Sequence, residues 1–255
     1  MSKEQYLKYS EKALNNALEK VYQKMIYEQR PTFQSYPKAL VFGGQPGAGK
    51  SSIMNDMERE LLDGDSLKIS GDEFRKLHPN FSEIVNNFGD EWSLVTGKWS
   101  GEMVEKILDM AIKDRYNIEV EGTFKTVTAP IKTINNLKDS GYKIVIVIVT
   151  CDKNISWQSA SDRYQRDLIK GELPRAVNQE YYEKLIKDLP KNTEYVYNQK
   201  LHDRFIVWNR DEHYNRNRVY DSSINGKFTK EIIEKELEPK KKIEKTAQAS
   251  KGIER

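Results

Sequence analysis

Eight consecutive residues, from Gly44 to Ser51, have the types and spacing of a phosphate-binding loop. They read Gly-Gln-Pro-Gly-Ala-Gly-Lys-Ser and fit the pattern G-x-x-x-x-G-K-[ST]. In such a loop the glycines let backbone N–H groups turn inward around phosphate oxygens. The lysine reaches the β- and γ-phosphates and the hydroxyl ligates Mg²⁺, which predicts these roles for Lys50 and Ser51. The predicted nucleotide contacts are Gly44, Gln45, Pro46, Gly47, Ala48, Gly49, Lys50, Ser51 and Ser52.

The segments on both sides of the loop support this prediction. Residues 39–42 form a short apolar run, as expected for a buried strand, and residues 52–58 continue as a helix. The N-terminus of a helix favours an anion, because its first backbone N–H groups lack partners within the helix. The sequence therefore predicts a strand, a phosphate-binding loop and a helix in the order that nucleotide binding requires.

Two carboxylates stand at the predicted ends of other strands. Asp72 follows the second strand within Ser-Gly-Asp-Glu-Phe, and Glu121 follows the third within Glu-Gly-Thr. Phosphoryl transfer to an alcohol needs a group that positions the hydroxyl and takes its proton. Asp72 fits that role, although an aspartate here also serves as a helix N-cap. Glu121 stands where an acidic residue near the metal is expected, or where a carboxylate pairs with a nearby lysine.

Arginines follow the fourth predicted strand. Arg163 and Arg166 lie in Asp-Arg-Tyr-Gln-Arg, and Arg175 lies in Pro-Arg-Ala. Arginines that fold over the γ-phosphate would stabilise the charge of the transition state. The alternative is that Arg163 and Arg166 form ordinary surface ion pairs with neighbouring carboxylates, which contribute only ~0–1 kcal/mol each.

The periodicity of the chain predicts an α/β fold. Apolar runs at residues 39–42, 66–70, 117–120, 144–150 and 204–209 are separated by helical patterns. This alternation predicts a central, mainly parallel sheet flanked by helices, the P-loop NTPase/kinase fold. In such sheets ligands bind at the carboxyl ends of the strands, where the candidate residues above are found.

The domain organisation follows from composition. Residues 1–36 are predicted to be a helical segment, with one helix over residues 3–28, and a linker. Residues 37–237 are predicted to be the kinase domain. That first helix either packs on the sheet or binds a partner. Residues 238–255 are rich in lysine and are predicted to be a flexible tail.

Composition narrows the class of protein. The 255 residues are 32% charged with a net charge of +3, too little to indicate nucleic-acid binding by itself. We expect no membrane span, and the single cysteine, Cys151, allows no internal disulfide, in keeping with a cytoplasmic protein. His78, His202 and His213 are scattered, so we expect no zinc.

The ordered set of motifs resembles the zeta-toxin family, the kinases of bacterial toxin–antitoxin systems. The resemblance covers residues 40–190 and includes the phosphate-binding loop, Gly-Asp-x-Phe, His-Pro-Asn-Phe at residues 78–81, Glu-Gly-Thr, Arg-Tyr and Arg-Ala. It implies transfer of the γ-phosphate of ATP, with Mg²⁺, to the 3′-hydroxyl of UDP-N-acetylglucosamine. It further implies disruption of cell-wall precursor synthesis, and a cognate antitoxin for which residues 3–28 are a plausible surface.

The resemblance also implies roles for individual residues. Asp72 matches the general base, Lys50 the lysine of the phosphate-binding loop, and Ser51 the metal-ligating hydroxyl. The two arginines that clamp the phosphates correspond to Arg163 and Arg175. The residues that match sugar-nucleotide contacts are Glu105, Glu121 and Thr133.

The sequence departs from the family after Glu-Gly-Thr, where it has Phe124 and Lys125. Trp92 and Trp99, in the stretch where the family contacts its sugar nucleotide, either stack on the substrate or fill a core. One alternative is therefore a kinase of the same fold for another hydroxyl, such as that of an antibiotic or a nucleoside. A second is a nucleotide-dependent switch or a nucleic-acid-associated ATPase, for which the basic tail is the one support.

Overall fold

A six-stranded sheet lies at the centre of the protein. The computed structural model describes residues 3–239. In chain order the strands are β1 (Lys38–Gly43), β2 (Leu67–Ile69), β3 (Ile118–Glu121), β4 (Lys143–Thr150), β5 (Arg204–Arg210) and β6 (Arg216–Asp221). Their order in space is β2-β3-β1-β4-β5-β6, with β1 to β5 parallel. The predicted α/β fold with a mainly parallel sheet is confirmed.

Strand β6 was not predicted from the sequence. It runs antiparallel to β5 and closes one edge of the sheet, with a register irregularity at Val207 and Trp208. Its charged side chains pair with the first helix after β1: Arg216 contacts Asp56, and Arg218 contacts Glu60 at 2.5 Å. An edge strand that carries charged residues lacks the continuous apolar run by which buried strands are recognised.

Helices cover both faces of this sheet. They are α1 (Lys3–Tyr6), α2 (Glu11–Gln29), α3 (Lys50–Leu62), α4 (Gly71–Phe74), α5 (Phe81–Phe88), α6 (Trp92–Val95), α7 (Gly97–Lys113), α8 (Thr128–Asp139), α9 (Lys153–Ile169), α10 (Gln179–Asn198) and α11 (Glu231–Leu237). Short 3₁₀ helices span Arg75–Leu77 and Gly89–Glu91. Among residues 3–239, no helix is both long and apolar enough to cross a membrane.

Strand β4 shows how the sheet joins two hydrophobic cores. Because successive side chains of a strand point to opposite faces, Ile144, Ile146 and Ile148 enter the larger core, which includes residues of α2, α7, α8 and α10. Val145, Val147 and Val149 enter the second core, against α3. Burial on both faces explains the unbroken β-branched run of this strand. It also fixes the pairing of β4 with β1, and therefore the positions at which the loops after these two strands begin.

The N-terminal segment forms two helices, so the prediction of one helix over residues 3–28 was wrong. The helical pattern is interrupted before Ser10, whose side chain caps α2 by accepting a hydrogen bond from the Ala13 backbone N–H at 3.1 Å. The apolar face of α2 is buried in the larger core, as the packing alternative predicted. Its buried residues are Leu14, Leu18, Tyr22 and Met25.

The division into residues 1–36, 37–237 and 238–255 stays a prediction. Residues 240–255, most of the predicted lysine-rich tail, lie outside the described residues, as do residues 1 and 2.

Candidate active site

The phosphate-binding loop between β1 and α3 is shaped by close approaches that only glycine permits. Gly44 and Gly47 have φ values of 136° and 76°, which residues with a Cβ rarely adopt. A Cβ on Gly44 would lie 1.9 Å from the Val149 carbonyl oxygen, and one on Gly47 would lie 2.0 Å from that of Ser156. The loop is therefore packed against the end of β4 and the first turns of α9, where its backbone forms a cradle.

The side chain of Gln45 points into the protein. It is fully buried, and its Nε2 donates to the Cys151 carbonyl oxygen at 2.7 Å. Of the predicted nucleotide contacts, Gln45 thus offers its backbone, while its side chain ties the loop to the residue after β4. Cys151 is itself buried and forms no disulfide bond.

Lys50 begins α3 beneath the loop. Its Nζ donates to the carbonyl oxygens of Gly44 and Gln45, both at 3.1 Å, and lies 3.6 Å from Oε1 of Glu121. Burial lowers the pKa of the Lys50 ammonium, while the carboxylates of Glu121 and Asp72 oppose that shift. The lysine and both strand-end carboxylates are therefore grouped at one place, as the sequence predicted.

Asp72 lies in α4, the short helix that begins two residues after β2. The Oγ of Ser100, on α7, donates a hydrogen bond to the Gly71 carbonyl oxygen at 2.6 Å and so holds α4 against α7. The Asp72 carboxylate is about half exposed and faces two arginines, Arg75 at 3.2 Å and Arg175. It is not the N-cap of α4, because that position is Ser70.

The electrostatic environment keeps the Asp72 carboxyl group ionised. Burial acts to raise the pKa of this carboxyl group, but the guanidinium groups of Arg175, Arg75 and Arg163 overcome it and hold the pKa below its usual range. An ionised carboxylate with free oxygen lone pairs accepts a hydrogen bond, and then a proton, from an alcohol.

Arg163 reaches this group from α9. Ser156, Ala160 and Arg163 recur at helical spacing on one face of α9, and Gly47 lies against the Ser156 carbonyl oxygen and the Ala160 backbone nitrogen. The positive charge of Arg163 lowers the pKa values of both Lys50 and Asp72. Arg163 therefore belongs to the charged group around Lys50 and Asp72, and its contact with the phosphates stays a prediction.

Arg175 lies in the extended segment between α9 and α10. Pro174, the residue before Arg175, is held by Trp92, whose Nε1 donates a hydrogen bond to the Pro174 carbonyl oxygen at 2.9 Å. Trp92 is 4% exposed and Trp99 is 1% exposed, and Trp99 donates to the Phe74 carbonyl oxygen at 2.9 Å. Both tryptophans therefore fill the core, as the second of the two sequence-based alternatives predicted, and do not stack on the substrate. They also hold the segments that carry the site residues.

Glu105 and Thr133 lie on a neighbouring part of the structure. Oε2 of Glu105, on α7, is 2.7 Å from Nζ of Lys132 on α8, and Thr133 is the next residue of α8. The contact of Glu105 is thus with α8 and not with the group around Asp72. Their substrate roles stay predictions.

Two residues of this group, Arg75 beside Asp72 and Tyr181 near Arg75, were not singled out from the sequence. Arg75, one helical turn after Asp72, could have been found from its i, i+3 spacing. The hydroxyl oxygens of Tyr181 and Thr123 are 3.4 Å apart, and Nζ of Lys125 lies 3.7 Å from the centre of the Tyr181 ring. No sequence signal links Tyr181 to the Glu-Gly-Thr motif, because the two are 58 residues apart.

Comparison with known proteins identifies the family. The model of the family described as Zeta toxin matches residues 23–225. The chain belongs to the zeta toxin family. Among its relatives, Toxin PezT of Streptococcus pneumoniae is 31% identical over 202 residues, 79% of this chain and 78% of that protein. Toxin zeta of Streptococcus pyogenes is 29% identical over 232 residues, 90% of this chain and 77% of that protein.

Solved structures agree with this assignment. A structure from the PezAT chromosomal toxin–antitoxin system of Streptococcus pneumoniae superposes with a TM-score of 0.78 at 25% identity, covering 91% of this chain and 89% of that one. The AvrRxo1-ORF1:-ORF2 complex with ATP shares the fold, with a TM-score of 0.61 at 13% identity over 89% and 73% of the two chains. The resemblance read from the motifs is confirmed, and with it the P-loop kinase fold of zeta toxins.

Proposed function

We propose that this zeta toxin family protein transfers the γ-phosphate of ATP to the 3′-hydroxyl of UDP-N-acetylglucosamine and so disrupts cell-wall precursor synthesis. The observation that carries the proposal is the position of the Asp72 carboxylate, which pairs with Arg75 and Arg175 and interacts electrostatically with Arg163 and with the buried lysine of a phosphate-binding loop. Family membership supports the phosphotransferase class, and the choice of acceptor rests on the motif resemblance.

In the proposed reaction the oxygen of the acceptor hydroxyl forms a bond to the γ-phosphorus. Asp72 accepts the proton that this hydroxyl loses. The bond from the γ-phosphorus to the bridging oxygen breaks, and ADP leaves. Lys50, Arg163 and Arg175 stabilise the negative charge on the transferring group, and most of the rate comes from position and electrostatics. Glu105, Glu121 and Thr133 are proposed to hold the sugar nucleotide.

Mg²⁺ fits the residues that surround the loop. This ion commonly keeps several waters and binds one or two protein oxygens together with substrate phosphates. The exposed hydroxyl of Ser51 at the start of α3 and the carboxylate of Glu121 beside Lys50 supply such oxygens. When bound, the ion would neutralise charge on the β- and γ-phosphates.

The experiment is a phosphate-transfer assay with ATP, Mg²⁺ and UDP-N-acetylglucosamine. We expect Asp72→Asn to lower kcat by ~10²–10⁴-fold, the usual scale of general base catalysis, with little change in ATP affinity. The matched control is Glu73→Gln, because Glu73 is the next residue of α4 but lines the groove beside α2. Full turnover by Asp72→Asn would overturn the assignment of the base.

The same assay tests the alternative acceptors. ATP turnover that yields no phosphorylated UDP-N-acetylglucosamine, followed by product from another hydroxyl compound in a substrate panel, would favour a kinase with a different acceptor. ATP hydrolysis without transfer to any compound of the panel would favour the nucleotide-dependent switch.

A cognate antitoxin is also proposed, since the chain superposes on a structure from a toxin–antitoxin system. The outer face of α2 borders a groove of about 430 Å³ that Lys20, Lys24, Glu73 and Leu77 help to line. Because deletion of α2 would expose the core, the suitable test is Lys20→Glu with Lys24→Glu in a pull-down with the antitoxin. Unchanged capture would exclude this face as the binding surface.

A further inference from the structure

The order of strands gives the bound nucleotide a direction. Asp72 follows β2 and Glu121 is the last residue of β3, and both strands lie on one side of β1 in the sheet. If ATP is bound as proposed above, its γ-phosphate lies toward that side, because the acceptor hydroxyl must meet it there. The rest of the nucleotide then extends the other way, over the carboxyl ends of β4 and β5 and the start of β6.

On that side Arg210, the last residue of β5, lies against the phosphate-binding loop. Its Nη2 donates to the Gly47 carbonyl oxygen and to Ser159 Oγ, both at 2.9 Å. A Cβ on Gly49 would lie 3.1 Å from its Cδ and 3.5 Å from its Nε. Arg210 is 7% exposed, and its Nε has no hydrogen-bond partner among residues 3–239.

The ring of Tyr214 lies over this arginine. The guanidinium carbon of Arg210 is 4.9 Å from the centre of the ring, yet the side chain of Tyr214 is 70% exposed. The backbone of the β5–β6 turn that carries this ring is ordered by Asp211, whose Oδ1 accepts from the backbone N–H groups of His213 and Asn215 at 2.8 and 2.9 Å. One face of the ring is therefore packed on a cation, and the turn keeps a large apolar surface at the protein exterior.

We infer that the β5–β6 turn is the base-binding end of the nucleotide site, where the ring of Tyr214 stacks on the nucleobase. This inference rests on the proposed function, since it needs a nucleoside triphosphate on the loop. Stacking on an aromatic ring tolerates any base, because every base has a π face. The site therefore accepts adenine and guanine nucleotides with similar affinity, and Arg210 links the base end to the loop.

The experiment measures dissociation constants by calorimetry for ATP, GTP and inorganic triphosphate, which has no base. Tyr214→Ala is expected to weaken ATP and GTP each by roughly 10-fold, the scale of one base–aromatic stack, and to leave triphosphate unchanged. Tyr214→Phe is expected to retain the affinity of the wild type, because stacking needs the ring and not the hydroxyl. Tyr36→Ala is the matched control, since Tyr36 is 87% exposed and lies just before β1, at the amino-terminal end of that strand, whereas Tyr214 follows the carboxyl end of β5.

Two results would overturn the inference. One is an unchanged ATP dissociation constant in Tyr214→Ala. The other is an equal loss of triphosphate affinity, which would mean that the substitution had disturbed the loop itself. Failure of the proposed function looks different: the wild type would then bind ATP through Tyr214 but phosphorylate no UDP-N-acetylglucosamine.

Discussion

At the scale of single residues, Arg75 acts with Arg175 to hold the candidate base in its ionised form. It is 13% exposed, its Nε lies 3.2 Å from Oδ1 of Asp72, and its Nη1 donates to Thr96 Oγ1 at 3.3 Å and to the Ser93 carbonyl oxygen. The guanidinium is thus fixed on the side of α6 and orients the carboxylate. Arg75 is three residues after Asp72. Residues at this spacing are neighbours on a helix surface, so the pair forms without bringing distant segments together.

This arrangement predicts a shift in the pH profile. Arg75→Gln removes a positive charge that stabilises the ionised carboxylate, so the pKa of Asp72 should rise. The acidic limb of log kcat/KM should then move to higher pH, and kcat/KM at pH 7 should fall by on the order of 10-fold as the carboxylate loses its fixed orientation. Arg59→Gln, an exposed change on α3, is the control, and an unmoved limb would contradict the role of Arg75.

At the scale of elements, α6 positions the segment that carries Arg175, through a contact between residues 82 positions apart in sequence. Trp92 packs edge-on against Phe81 with ring centres 5.6 Å apart, and its indole N–H is bonded to the Pro174 carbonyl oxygen. Since the segment before α10 has no helix or strand of its own, this hydrogen bond is one of the contacts that place Arg175.

Trp92→Phe should therefore reduce activity more than stability. The substitution keeps one ring in the core but removes the donor and part of the buried ring system, which costs on the order of 2 kcal/mol of stability and frees the segment that carries Arg175. We expect kcat to fall by roughly 10-fold, since small displacements of charged groups reduce transfer strongly.

Tyr142→Phe is the matched control for Trp92→Phe. It also removes one donor to a backbone carbonyl oxygen, that of Tyr116 at 2.9 Å, but at the start of β4, away from the candidate active site. The melting temperatures and kcat values of both variants show whether Trp92 acts on activity through the position of Arg175. Equal activities of the two variants would show that Trp92 acts only through general stability.

At the scale of the whole molecule, the sheet contains a buried acid that the proposed chemistry does not use. Glu119, in β3, is fully buried, and its Oε1 accepts from Ser66 Oγ at 2.7 Å, while its Oε2 has no partner among the described residues. Burial raises the pKa of this carboxyl group to about 7. The folded protein therefore holds a proton between pH 4.5 and 7 that the unfolded chain has already lost.

The stability of the protein should thus fall as pH rises through that window. Unfolding releases the proton of Glu119 there, and the loss amounts to about 3 kcal/mol once the pH exceeds 7. Glu119→Gln removes this titration, so its melting temperature should exceed that of the wild type at pH 8 and depend less on pH between 5 and 8. Glu19→Gln, an exposed change on α2, is the control, and parallel pH profiles of wild type and Glu119→Gln would contradict the prediction.

The features that the sequence determined by itself are local ones. The phosphate-binding loop is contiguous, so residue types at fixed spacing specify its glycine conformations and the position of Lys50. The run of residues 144–150 shows burial on both faces, and the alternation of strands and helices was enough for the fold. The family followed from the order of short motifs, each of which is also local.

The features that only the tertiary structure decided are those that join distant segments. The contacts of Arg175 with Asp72, of Trp92 with Pro174 and of Arg210 with Gly47 span 82 to 163 residues. No periodicity records such pairings, because they arise when parallel strands bring their carboxyl ends to one edge of a sheet. Strand β6 was missed for a related reason: it lacks an apolar run, and its arginines find their partners, Asp56 and Glu60, only on the distant helix α3.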